Sequence, residues 1–281
     1  MSVSEPVMDQ VLRLVREAGE EILRWYGDPG AVEEKDDRSP LTAADRAAHE
    51  HLVTGLSRVA PSIPILSEES PPEAIEGREA WERHWLVDPL DGTKEFLKGT
   101  GEFTVNVALV ESSRPTIGIV HVPASGSTYR ASEAWGAQKA GKQGRFLPIQ
   151  TRPFEQGSPV LVGSRDHVGP SVHKLANALG PAVEFTSLGS SLKFCLVAEG
   201  RADLYLRDRP TMEWDTAAAQ CIVERAGGGV LGLGDASSGA LQYNKSNLLN
   251  PSFLCVGDLG GPWRTLVRQI GGWDGANDAK N

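Results

Sequence analysis

The sequence predicts a layered α+β protein in two subdomains, with helices on a largely antiparallel sheet in residues 1–155 and an α/β unit in residues 156–281. Three observations lead there. Two apolar patterns at helical spacing open the chain, a series of short β-like runs follows, and beyond a polar break strands alternate with helices.

Val11, Leu12, Val15, Ala18, Ile22 and Leu23 share one helical face, and Gly27-Asp28-Pro29-Gly30 breaks that helix just after Tyr26. Thr42-Ala43-Ala44-Asp45 has the pattern of a capping box, with Asp as a shorter variant of the usual Glu or Gln, and opens a second helix to about Val59. Short β-like runs come next at Ile63–Leu66, His84–Val87, Thr104–Val110 and Thr116–His121. Arg152 to Gly157 turns polar and carries a proline and a glycine, which marks the boundary between the subdomains. After it, strands are expected at Val160–Gly163, Val183–Thr186, Leu204–Leu206, Gly229–Leu231 and Phe253–Val256. Helices are expected between them at 170–179, 190–199 and 215–226, and the Gly-, Asp- and Asn-rich end from Gly271 to Asn281 is expected to fray.

With 281 residues, 40% of them apolar and 23% charged, the composition is that of a globular enzyme. A net charge of −9 argues against an extended interface with a nucleic acid polymer, which needs clustered Lys and Arg. A small phosphorylated ligand stays open, its charge met locally by metal and a few cations. No stretch approaches the roughly 20 apolar residues of a membrane span, and the first ten residues lack a signal-peptide pattern, so a cytoplasmic protein without an integral membrane segment is expected. Cys195, Cys221 and Cys255 are odd in number and set in apolar sequence, the mark of buried reduced thiols.

The most informative stretch is Trp85-Leu86-Val87-Asp88-Pro89-Leu90-Asp91-Gly92-Thr93. Pro89 biases Asp88 toward extended geometry, so the chain turns where Asp88 and Asp91 can face one cavity, and Gly92 permits close backbone approach. Asp88, the Leu90 carbonyl and Asp91 form an oxygen set of the kind that binds Mg²⁺. A plain polar turn is the competing reading. Glu68 and Glu69 follow an apolar strand that adjacent pairing can bring beside this turn. Asp215 opens an apolar helix, where an N-cap role worth about 1 kcal/mol also explains it. Asp45 has its capping box. What these acids share is a position at an element terminus, where distant segments converge on one concave site, and two ions about 4 Å apart require such a cluster.

Three motifs in this order resemble the lithium-sensitive, Mg²⁺-dependent phosphatase family of inositol monophosphatase and fructose-1,6-bisphosphatase: Glu68-Glu69-Ser70, Asp88-Pro89-Leu90-Asp91-Gly92-Thr93 and Trp214-Asp215-Thr216-Ala217-Ala218. Within it the wording is similar to the bisphosphate nucleotidases of the CysQ type, through Ser39-Pro40-Leu41-Thr42-Ala43-Ala44-Asp45, Asp91-Gly92-Thr93-Lys94-Glu95-Phe96 and Gly189-Ser190-Ser191-Leu192-Lys193-Phe194-Cys195. Inositol monophosphatases typically continue Asp-Gly-Thr with Thr-Asn-Phe, so Lys94-Glu95 is the informative difference. The resemblance covers residues 8 to 258 and implies an α-β-α-β-α sandwich.

It also implies roles. Glu68, Asp88 and the Leu90 carbonyl would bind one Mg²⁺; Asp88, Asp91 and Asp215 a second; Glu68 with waters a third in some relatives. Thr93, with Glu68 or with Asp45, would orient and deprotonate the attacking water, while the N–H groups of Gly92 and Thr93 hold phosphate oxygens. Ser164, Arg165, His167, Ser190, Lys193 and Arg207 would surround a nucleotide and its 5′-phosphate, with Asp215 also at the substrate. His167 as an ordinary loop residue and Lys193 as a lysine snorkelling to water are the competing readings, and Asp166 departs from the serine that relatives often carry. The implied reaction is hydrolysis of the 3′-phosphate of adenosine 3′,5′-bisphosphate, and of its sulfated form, in sulfur metabolism; a monomer is the simplest expectation. The alternatives are an inositol-1-phosphate or sugar-phosphate phosphatase and a non-catalytic metal- or nucleotide-binding protein.

Overall fold

The computed structural model describes residues 3–30, 32–34, 40–142, 144–154, 158–164, 169–233 and 239–270. Helix α1 (Glu5–Arg24) carries Pro6 in its first turn, where the missing N–H costs nothing, and buries Met8, Val11, Leu12, Val15, Ala18 and Ile22. The two-residue strands β1 (Glu33–Glu34) and β2 (Pro40–Leu41) pair antiparallel. Helix α2 (Ala43–Val59) opens on the expected capping box, in which Asp45 accepts from the Thr42 N–H at 2.7 Å.

A seven-stranded sheet follows, with β3 (Ile65–Ser67), β4 (Arg83–Asp91), β5 (Thr104–Glu111), β6 (Arg114–Val122), β7 (Ser127–Ser132), β8 (Gly136–Ala140) and β9 (Leu147–Pro148) in that spatial order. Strands β3 and β4 are parallel and every other pair is antiparallel. A short helix, α3 (Thr93–Leu97), joins β4 to β5. Two differences from the sequence reading have physical causes. Strand β4 runs past the expected Val87 through Pro89, because a bulge between Asp88 and Asp91 spares the proline a ladder bond. Strands β7 to β9 were not expected, since Ser127-Thr128-Tyr129-Arg130-Ala131-Ser132 reads as a polar loop and is held by pairing on both edges.

The second half contains β10 (Val160–Ser164), α4 (Pro170–Leu179), β11 (Glu184–Leu188), α5 (Leu192–Ala198), β12 (Leu204–Arg207), α6 (Ala217–Arg225), β13 (Gly229–Gly232), β14 (Phe253–Val256) and α7 (Trp263–Gln269). Their sheet runs β11-β10-β12-β14-β13, parallel across β11, β10 and β12 and antiparallel at β14. Helix α7 was not expected. The polar stretch from Arg152 lies between the last strand of one sheet and the first of the other; residues 155–157 and the C-terminal stretch 271–281 lie outside the described residues.

Side-chain alternation sorts these elements into five layers. Trp85, Val87, Val107, Leu109 and Ile119 face α1 and α2. Leu86, Ala108, Val110 and Val120, on the opposite pleat, pack against α5 and α6. Tyr205, Phe253 and Cys255 of the smaller sheet close that same core, while Leu204, Leu206, Leu254 and Val256 point away to Val172 of α4 and Trp263 of α7. The order is therefore helices, sheet, helices, sheet, helices. Cys195, Cys221 and Cys255 are buried and free, as the sequence implied. Among the described residues no helix is long and apolar enough to cross a membrane.

The central helical layer fixes the site. A β-carbon added at Gly118 in β6 would lie 2.2 Å from the Ala218 carbonyl oxygen, so α6 rests directly on the large sheet. Its first residues, Ala217, Ala218 and Ala219, are small enough to allow this. The turn just ahead of α6 is thereby packed against β4 and β5, where the acidic motifs end.

Candidate active site

Parallel pairing of β3 with β4 places Glu68 where adjacency predicted it, its N–H donating to the Val87 carbonyl at 3.0 Å. The Glu68 carboxyl lies close enough to that of Asp88 to raise its pKa, and Asp88 Oδ1 accepts from the Leu90 N–H at 3.1 Å. Asp91 ends the bulged strand. Its Oδ2 takes the Ser191 N–H at 2.6 Å, the Ser191 hydroxyl at 2.7 Å, Asn106 Nδ2 at 3.2 Å and Thr104 Oγ1 at 3.3 Å, leaving Oδ1 for a ligand. Gly92 follows at φ 94°, a left-handed conformation that suits glycine, and starts α3.

Asp215 is not the N-cap of α6. It closes a separate 3₁₀ turn (Glu213–Asp215), Thr216 stands at the cap position, and the Asp215 carboxylate reaches back to the Met212 N–H at 2.7 Å. That hydrogen bond aims it at the β4 terminus. Asp88, Asp91 and Asp215 offer oxygens all within 4.8 Å of one another. Such crowding is costly without a cation. Burial, then the charges of Glu68, Asp91 and Asp215, hold the Asp88 carboxyl well above the usual range. Burial, then Asp91 and Glu68, push Asp215 up to about 8. An all-oxygen cluster with this much uncompensated negative charge fits a hard divalent ion.

Asp45 and Thr93 meet beside it. Asp45 is 3% exposed, its Oδ2 held by Thr42 N–H at 2.7 Å and Thr42 Oγ1 at 2.5 Å. The Thr93 hydroxyl lies 3.3 Å from the other Asp45 oxygen and 3.4 Å from the Leu90 carbonyl. The capping box that competed with a functional reading therefore fixes Asp45 for Thr93 and does not displace it.

A cavity opens from the carboxylates toward the smaller sheet, lined among others by Gly92, Ser164, Ser190, Lys193, Arg207 and Asp215. Lys193 does not snorkel: it is 6% exposed, donates to the Ser190 carbonyl at 2.7 Å and to the Leu188 carbonyl at 3.3 Å, and sits 5.3 Å from the Tyr205 ring centroid. Burial brings its ammonium down to about 8. Two of its three protons are committed, and the third is free for a ligand. Arg207, at the end of β12, donates to Ser164 Oγ at 2.9 Å. Arg165, Asp166 and His167 lie outside the described residues.

Sequence reasoning passed over two residues here, Ser191 and Asn106, which hold Asp91, and gave no site role to Glu95, which lines the cavity. Asn106 had a signal, an amide inside the apolar run Thr104–Val110. Ser191 had only its place beside Ser190.

The inositol monophosphatase family model matches residues 4–256. The chain is 45% identical over 250 residues to the 3′(2′),5′-bisphosphate nucleotidase CysQ of Salmonella typhimurium, covering 88% of this chain and 98% of that one. It is 34% identical over 273 residues to the CysQ of Haemophilus influenzae, covering 95% and 99%. Among solved structures, CysQ from Bacteroides thetaiotaomicron superposes with a TM-score of 0.76 at 40% identity, over 90% of this chain and 97% of that one. An IMPase of Thermotoga maritima gives 0.74 at 26% identity, over 94% and 96%. Sequence, layer order and the convergence of the acidic motifs agree, and the chain belongs to the inositol monophosphatase family.

Proposed function

We propose that this protein is a Mg²⁺-dependent 3′(2′),5′-bisphosphate nucleotidase that hydrolyses the 3′-phosphate of adenosine 3′,5′-bisphosphate to give AMP and phosphate. The observation that carries the reading is one cavity with a carboxylate cluster at one end, Asp88, Asp91 and Asp215, and cations on its walls, Lys193 and Arg207 among them. The cluster suits the ions on which phosphatases of this family depend. The cations suit a second phosphate. The names of the relatives supply the nucleotide.

Glu68, Asp88 and the Leu90 carbonyl would hold one Mg²⁺, and Asp88, Asp91 and Asp215 a second. Bound there, the ions would offset phosphate charge and lower the pKa of water toward neutrality. The remaining work falls to the chain. Thr93 orients the attacking water, and the Asp45 oxygen 3.3 Å from its hydroxyl takes the proton. The N–H groups of Gly92 and Thr93, at the start of α3, hold phosphate oxygens. Water attacks phosphorus in line as the bond to the ribose oxygen breaks, and that oxygen takes its proton from solvent water. Ser164, Ser190, Lys193 and Arg207 hold the nucleotide and its 5′-phosphate, charge-assisted bonds in a confined site.

Phosphate release by the purified protein with Mg²⁺ tests this, with adenosine 3′,5′-bisphosphate, inositol 1-phosphate and fructose 1,6-bisphosphate at equal concentration. The nucleotide is expected to have the highest kcat/KM. Preference for inositol 1-phosphate would overturn the substrate and keep the mechanism.

A further inference from the structure

Glu95 is out of place in a cavity built for phosphates. It lies on α3 two residues past Thr93 and lines the cavity with Lys193 and Arg207, yet its carboxylate accepts no hydrogen bond among the described residues. Its neighbour Glu102, by contrast, takes the Gly189 N–H at 2.9 Å. The Glu95 side chain is wedged between two glycines. A β-carbon on Gly189 would lie 2.5 Å from its Cγ, and one on Gly92 would lie 3.3 Å from its Oε2. The nearby ammonium of Lys193, whose charge Glu95 feels, spends two of its protons on the Ser190 and Leu188 carbonyls and makes no hydrogen bond to Glu95 among the described residues. An acceptor-only group kept free beside the phosphate-holding residues repels phosphate, and it is useful only if the ligand brings a donor.

We infer that Glu95 reads the free ribose hydroxyl on the carbon next to the one that bears the scissile phosphate. This rests on the bisphosphate nucleotidase reading. A nucleoside 3′,5′-bisphosphate has donors on its base and one free hydroxyl on its ribose. With the scissile phosphate on the Gly92 N–H, as proposed, and Glu95 Oε2 3.3 Å from where a Gly92 β-carbon would lie, the donor within reach is the hydroxyl on the adjacent carbon. The same geometry serves a 2′-phosphate, whose neighbour is then the 3′-hydroxyl. Glu95 is thus a specificity residue, distinct from the cations that hold the 5′-phosphate.

The test compares kcat/KM for adenosine 3′,5′-bisphosphate and 2′-deoxyadenosine 3′,5′-bisphosphate in wild type, Glu95→Gln and Glu95→Ala, with Mg²⁺ and a melting curve for each protein. Wild type is expected to favour the ribonucleotide by roughly 10- to 100-fold, the range of one hydrogen bond to a charged group. Glu95→Ala should collapse that ratio to within about threefold by losing rate on the ribonucleotide, with Glu95→Gln between the two. A wild type that does not discriminate, or an alanine variant that loses the same factor on both substrates, overturns the inference while leaving the nucleotidase reading intact. A wild type that does not hydrolyse adenosine 3′,5′-bisphosphate overturns both.

Discussion

Ser191 gives Asp91 two donors on one oxygen, its N–H at 2.6 Å and its hydroxyl at 2.7 Å from Oδ2. The same hydroxyl lies 3.0 Å from the Asp215 carbonyl and accepts from Asn106 Nδ2 at 2.9 Å. A hydroxyl has one proton, so it donates to one of its two acceptors at a time. One residue at the start of α5, 1% exposed, thus joins the strand end that carries Asp91 to the turn that carries Asp215. Ser191→Ala keeps the N–H contact and removes the others. The expected result is a roughly fivefold loss of Mg²⁺ affinity by calorimetry, about 1 kcal/mol for one net hydrogen bond, with the fold intact. Unchanged affinity would remove Ser191 from the positioning of the cluster.

Asp215 stores the opposite of stability in the absence of a cation. Its half-buried carboxyl is crowded by Asp88 and Asp91, and the strong upward shift of its pKa records that cost. Asp215→Asn should therefore melt higher than wild type in EDTA and show little of the rise in Tm that Mg²⁺ gives wild type, because ligand that binds only the native state stabilises it. Phosphate release should fall with it. A variant that unfolds in EDTA would make Asp215 a structural residue of the turn through its bond to Met212.

Asp45 and Thr93 are expected to separate from the metal cluster in kinetics. Asp45→Asn keeps an acceptor for Thr42 but cannot take a proton. At saturating Mg²⁺ kcat should fall by roughly 10²- to 10⁴-fold, the usual worth of a general base, with Mg²⁺ affinity changed less than about threefold. Thr93→Ser, which keeps the hydroxyl 3.3 Å from Asp45, should retain far more activity than Thr93→Val. Equal losses in the two Thr93 variants would mean that the methyl group and not the hydroxyl matters.

How much of this was legible in the sequence follows from where the information sits. The helices α1 and α2, the strands with alternating or continuous apolar residues, and the acids at element ends are local patterns and were read correctly. Strands β7 to β9 were not, because Ser127–Ser132 has little apolar signal and is a strand only by virtue of two paired neighbours. The same holds at the site. Asp88 and Asp91 are marked by Pro89 and Gly92 in the chain itself. Ser191 acquires its meaning from Asp91, 100 residues away, and the choice for Lys193 between a ligand contact and a lysine snorkelling to water rested on the Ser190 and Leu188 carbonyls, which no local pattern shows. Asp215 shows the reverse error: aspartate before an apolar helix is a good cap signal, and a 3₁₀ turn intervened.

Two buried histidines are expected to weaken the fold in acid. His84 is fully buried and neither ring nitrogen has a hydrogen-bond partner among the described residues; burial, then the Arg78 guanidinium, bring its pKa down to about 4. His121 lies 3.0 Å from Thr128 Oγ1, and burial, then Arg16, bring it down to about 4 as well. The folded pKa of each is below the unfolded value of about 6.5, so between these values the unfolded chain binds more protons. Their contribution is complete above pH 6.5 and is lost as pH falls toward 4, up to about 3 kcal/mol for each. Asp88 and Asp215, whose pKa values are raised, act in the opposite sense, so the informative readout is a difference between proteins. His84→Leu removes no hydrogen bond. Denaturant unfolding from pH 8 to pH 4 should show wild type losing stability relative to His84→Leu across that window, by a slope approaching one proton. A constant difference between the two across the whole range would show that His84 takes its proton in the folded state as readily as in the unfolded one.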